Sequence, residues 1–132
     1  MDKTSYYYIA SGATTGIAGI LHLIYAYNGI GRGVSLFTIF FIVAGIAQLF
    51  WVLPMVKRWG RKWYVVGIGG TIVLMIVYAM TRVPNPITNG RALSISGIGI
   101  ATEIFQIAFI IITALILAKE RTIHTSQRQE LR

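Results

Sequence analysis

The sequence predicts an all-α integral membrane protein: four transmembrane helices in an up-down-up-down bundle, with both termini cytoplasmic. Three observations carry this expectation. Four apolar runs, 6–27, 34–56, 63–80 and about 96–118, each approach the ~20 apolar residues that cross hydrocarbon as a helix. A mean hydropathy of +0.68 with 55% hydrophobic residues in 132 is too apolar for a water-soluble domain of this size, whose surface would be mostly polar. The basic residues then fall unevenly between the two sides. Lys3, Lys57, Arg58, Arg61, Lys62, Lys119, Arg121, Arg128 and Arg132 lie on one side, against Arg32, Arg82 and Arg91 on the other. Because Lys and Arg near span ends resist translocation, the richer side is expected inside.

The first run follows a short polar stretch and is longer than the ~7 to 15 apolar residues of a signal peptide, so it reads as an uncleaved first span. Its Gly12, Gly16 and Gly19 have the small-residue spacing that lets helix backbones approach closely, either within the bundle or against other subunits. A Gly-rich turn, 28–33, leads into the second run, and a basic turn, 57–62, follows Pro54 and leads into the third. Connections this short make their helices antiparallel neighbours. Tyr6, Tyr7, Tyr8, Trp51, Trp59, Trp63 and Tyr64 on the inner side, with Tyr25, Tyr27 and Tyr78 on the outer, fall where headgroups favour amphipathic rings.

The third connection, 81–93, is the longest. Pro84, Pro86 and Gly90 make it a stiff turn-rich loop, and with Arg82 and Arg91 it is the candidate outer contact surface, or else a simple connector. The fourth run closes the membrane domain, 1–118. Residues 119–132 form a polar cytoplasmic tail, read as either an extension of the last helix or a disordered end, and no chemistry is assigned to it.

Inside the spans the strongly polar side chains are His22, Gln48, Glu103 and Gln106. Each needs a partner that lipid does not supply. At ~1.5 Å per residue, His22 and Glu103 lie at similar depth below the outer boundary, about 8 and 10 Å, so the two could meet, and a His–Glu pair would serve as a structural clamp or as part of a proton or cation path. Glu103 and Gln106 share a helix face, and Gln48 can reach it from the second helix, which implies a polar seam. Around them a small-residue stretch recurs, as AGILHLIY, AGIAQLFW and GIATEIF.

Several functions are excluded or disfavoured. The absence of cysteine removes disulfides, thiolate metal sites and cysteine nucleophiles. The formal charge of +8 sits at span ends, without the basic face of a nucleic-acid binder, so anionic membrane lipids are the expected counter-charge and nucleic acid is not a partner. One histidine and one carboxylate make an incomplete metal site, and His124 in the tail belongs to the opposite side of the membrane from His22. No metal, cofactor or catalytic constellation is expected, and the chain is read as no enzyme by itself.

The stretch 41–109, with AGIAQLFWVLP, KRWGRKW, MTRVPNP and TEIFQ, resembles small four-span membrane proteins of unassigned function in archaea and actinobacteria. His22, Gln48, Thr81, Arg82, Pro84, Pro86 and Glu103 match their polar pattern. In its short, Ile- and Gly-rich, multi-span make-up the chain also resembles the small accessory membrane subunits of archaeal ammonia monooxygenase. That resemblance implies a partner of a copper-dependent membrane oxidoreductase complex, with no copper ligand carried over. The expected function is therefore a non-catalytic accessory subunit, in contact with other integral membrane subunits and with lipid, in the cell membrane as a multi-pass protein. The alternative is a small transporter or a proton- or ligand-binding protein built on His22, Gln48, Glu103 and Gln106.

Overall fold

A computed structural model describes residues 2–31, 33–84, 86, 90 and 95–132. The described residues form four helices and no strand: α1 (Lys3–Ile30), α2 (Leu36–Val56), α3 (Arg61–Thr81) and α4 (Gly97–Glu130). All four are long and apolar enough to cross a membrane.

The helices outrun the apolar segments because their ends are capped by polar groups. Asp2 caps α1 by accepting from the Ser5 backbone N–H at 2.8 Å, so the helix begins before Tyr6 and takes in the polar residues 3–5. Ser35 and Thr38 form a reciprocal capping box at the start of α2, which satisfies donors that the first turn leaves unpaired. Ser96 caps α4 through the Gly99 N–H at 3.1 Å. The tail carries no Gly or Pro, so α4 continues through Glu130 as helix. At ~1.5 Å per residue its 34 residues extend about 51 Å, well beyond the ~30 Å of hydrocarbon.

Between α2 and α3 the chain reverses over four residues. Arg58 adopts the left-handed region (φ 54°) and Gly60 a conformation with φ 122°, the second of which glycine tolerates and side chains do not.

α1 is the central helix, packing along both α2 and α4, whereas α3 meets α4 and, more sparsely, α2. Gly19 and Gly45 explain the intimacy of the α1–α2 seam. A Cβ on either would lie 2.8 Å from the other's carbonyl oxygen, so the two backbones are in direct contact. Gly12 and Gly16 face Val52 and Val56 along the same seam. Toward the end of the bundle where α1 begins, Tyr8, Met55, Tyr64, Phe109 and Ile116 form the apolar core. Tyr64, placed by its sequence position among the headgroups, is instead 1% exposed and packs its ring 5.9 Å from that of Tyr8. Trp51, Trp59 and Trp63 remain together with Phe50 as a cluster of rings, and the Trp51 indole N–H donates to the Trp63 carbonyl at 3.0 Å.

Candidate functional site

The buried face of α1 is polar at helical spacing. Tyr8, Ser11, Thr15 and His22 are all buried, separated only by Ala18 and the seam glycines. The opposing stripe of α4 runs Gly99, Thr102, Gln106, Phe109, Thr113 and Ile116, with spacings of three and four. Residues so spaced share one face of a helix. The two stripes and Gln48 of α2 thus build a line of polar groups through the depth of an otherwise apolar bundle.

His22 is the best-defined member. Its Nδ1 lies 2.7 Å from Gln48 Oε1 and 3.1 Å from the Ala18 carbonyl oxygen. Both partners accept, so Nδ1 carries the proton and donates to both, which leaves Nε2 as the acceptor of the neutral ring. Phe41 stacks on the imidazole at 5.7 Å between centroids and holds its plane. Lower in the seam the Thr15 hydroxyl donates to the Gln48 carbonyl at 3.4 Å, and the Ser11 and Thr113 hydroxyls are hydrogen-bonded at 2.7 Å across α1 and α4.

Glu103 sits near His22 without a direct bond. Both line a cavity of about 20 Å³ together with Tyr25, Tyr78, Arg82 and Thr102, a volume sufficient for about one water molecule. Among the described residues, the polar atoms bonded to His22 are those of Ala18 and Gln48. Arg82 turns toward this cavity: its guanidinium lies 4.1 Å from the centroid of the Tyr78 ring, and the residue lines the cavity beside Glu103. Pro84 and Pro86 are exposed, and Arg91 lies outside the described residues. Gln106, 1% exposed, stands in the α4 stripe with neither amide atom hydrogen-bonded, and Gln48 Nε2 is likewise without a partner. Such buried amide groups are costly, about 1–3 kcal/mol each, and would take a donor or acceptor offered to them.

Beside this seam a groove of about 280 Å³ separates α2 from α3. Small residues make it: Ala44 and Ala47 on one wall, Gly67 and Gly70 on the other, with Thr15 and Gln48 also lining it. Gly67 is packed against Trp51, but Gly69 and Gly70 have nothing within 4 Å of the position a Cβ would take.

A second polar constellation lies where the start of α1 meets the α4 extension; its Tyr7, Tyr8, Arg58 and Lys119 were read from sequence only as headgroup aromatics and span-end charges. The Tyr8 hydroxyl donates to Glu120 Oε1 at 2.5 Å, tying α1 to the start of the α4 extension. Arg58 lies 4.3 Å from the centroid of the Tyr8 ring and donates from Nη2 to the Ser5 hydroxyl at 2.6 Å, while Lys119 sits over Tyr7. The signal that could have found this clamp was periodicity: Tyr8 continues the α1 polar face and Glu120 the α4 stripe.

No group of three or more His, Cys, Asp and Glu is placed to hold a metal ion among the described residues. Fold and site together define a membrane-type four-helix bundle with a polar seam. Comparison with family models, with curated proteins and with solved structures finds no match.

Proposed function

We propose that this chain is a multi-pass protein of the cell membrane, up-down-up-down with both termini cytoplasmic, and serves as a non-catalytic accessory subunit of a multi-subunit membrane complex. The resemblance to accessory subunits of archaeal ammonia monooxygenase makes a copper-dependent membrane monooxygenase the candidate complex. The observation that carries the reading is the α2–α3 groove with Gly69 and Gly70 beside it. Glycine in a helix interior costs about 1 kcal/mol relative to alanine, and at these two positions no contact within the chain offsets it. Small residues on a lipid-facing surface are what close helix–helix docking in a membrane requires, so the occupant is a transmembrane helix of another subunit. The polar groups of the seam, bonded mostly to one another, align α1, α2 and α4. The nine-to-three division of Lys and Arg supports the orientation.

The test is gentle extraction of native membranes, native separation, and mass spectrometry of whatever migrates with this chain. Stoichiometric co-migration with other integral membrane subunits is the expected result. Migration alone, or as a homo-oligomer, overturns the reading.

A second reading, a proton or small-ligand path, is favoured by one observation: the seam has a carboxylate near each end, Glu103 beside the His22 cavity and Glu120 on Tyr8. Ionisable and polar groups aligned within a span are the parts from which proton relays are built. Proton flux into vesicles containing the purified chain, abolished by Glu103→Gln, is the result this reading requires. Absence of flux from the unaltered chain removes it.

A further inference from the structure

The helical extension of α4 carries a basic face. Arg121, His124, Thr125 and Arg128 are spaced three and four apart and so share a face, and that face meets Arg61, the first residue of α3, across a cleft of about 630 Å³. Gln127 adds an amide to the lining, and among the described residues no carboxylate lines the cleft. The acid that precedes Arg121 in the extension, Glu120, is bonded to Tyr8. The start of α3 contributes in the same sense, because Gly60 provides no side-chain cap. The dipole of α3 favours an anion there.

The depth of the cleft selects the ligand. At ~1.5 Å per residue, Arg121 and His124 lie about 5 and 9 Å beyond Ala118, and Arg61 about 3 Å beyond Trp63. The headgroup layer is about 5–8 Å thick on each side of the hydrocarbon. Arg61 and Arg121 therefore stand at the level of lipid phosphates, His124 lies just beyond that level, and Arg128 can bend its long side chain back toward it. Guanidinium groups suit the ligand because their paired N–H donors match two phosphate oxygens.

We propose that the cleft between the start of α3 and the α4 extension binds the phosphodiester headgroup of one anionic phospholipid. The site rests only on the multi-pass reading and is independent of whether the chain joins a larger complex. The extension then serves to carry its basic side chains out to the phosphate layer and to anchor the inner end of the bundle.

The experiment is native mass spectrometry of the full chain in a neutral maltoside detergent, titrated with phosphatidylglycerol, with phosphatidylcholine of the same acyl chains, and with millimolar inorganic phosphate. One phosphatidylglycerol per chain is expected, held about ten-fold more tightly than phosphatidylcholine, with no competition from inorganic phosphate. Arg61→Gln and Arg121→Gln should each weaken it about five-fold, and together about thirty-fold, as expected for loss of basic residues at an anionic surface. Lys3→Gln removes a charge outside the cleft and should leave binding unchanged, and Arg121→Lys should retain most of it. All these positions are exposed, so the substitutions leave the core intact. Equal affinity for the two lipids, or an equal loss in Lys3→Gln, would overturn the site in favour of diffuse charge. Displacement of the lipid by inorganic phosphate would overturn it in favour of a free anion.

Discussion

His22 on α1 and Gln48 on α2 are joined by a 2.7 Å hydrogen bond, three residues along each helix from the Gly19–Gly45 backbone contact. The close approach and the polar bond define the same interface. Packing without side chains sets the distance between the helices, and the bond fixes their rotation. Hydrogen bonds in membranes average about 0.6 kcal/mol, so this one specifies geometry more than it adds stability.

The two partners should therefore differ in what their loss costs. His22→Leu leaves both ends of the Gln48 amide unpaired and should destabilise the bundle by about 1–3 kcal/mol. Gln48→Leu removes the unpartnered Nε2 along with the bond, while His22 keeps the Ala18 carbonyl, and should cost less than about 1 kcal/mol. Reversible unfolding in mixed micelles measures both, and a larger cost for Gln48→Leu would contradict the assigned proton on Nδ1.

Glycines on the two faces of the bundle should respond in opposite ways. A Cβ at Gly45 meets the Gly19 carbonyl and Leu23 at 2.8 Å, so Gly45→Ala should lose about 1–3 kcal/mol through overpacking. At Gly69 a Cβ meets nothing within 4 Å, and Gly69→Ala should stabilise the isolated chain by up to about 1 kcal/mol. The same unfolding assay, applied to the purified protein, reads both signs.

Where α1 begins, Tyr8→Phe deletes the donor of the Tyr8–Glu120 bond but keeps the ring. A loss of about 1 kcal/mol is expected, seen as faster amide exchange around Glu120 with protection near Gln106 unchanged. Glu120→Gln retains an acceptor and should exchange at a rate between Tyr8→Phe and the unaltered chain.

The first turn of α1 should depend on pH. The Ser5 backbone N–H, and then its hydroxyl, hold the Asp2 carboxyl below its ordinary pKa. A lowered carboxyl stabilises its helix above the ordinary aspartate range and loses that contribution as pH falls through the folded value. Protection of the Ser5 amide, measured against its intrinsic exchange rate, should fall on acidification through that window, and Asp2→Ala should show the low protection at neutral pH.

The four spans were legible because hydropathy over about 20 residues leaves little else for such runs to be. Helix ends were less so. Asp2 draws three polar residues into α1, and the charged tail, lacking Gly or Pro, continues α4. His22 and Glu103, expected near one another from their positions in the spans, line one cavity. Rotation about each helix axis was not legible, because it depends on which small residues let two backbones close. Gly45, which the sequence showed only within the recurring AGIAQLFW stretch, brings Gln48 beside His22. The same limit hid the burial of Tyr64, which follows from where Tyr8 and Phe109 fall around the inner core.

The most direct test of the accessory-subunit account places a photoactivatable residue at Val66, which lines the α2–α3 groove, and another at Ile104, exposed on α4, and crosslinks each in native membranes. The account predicts one discrete adduct with another integral membrane protein from Val66, lost in Gly70→Leu, and only lipid adducts from Ile104. Lipid adducts alone at both positions, or the same protein adducts from both faces, would contradict it.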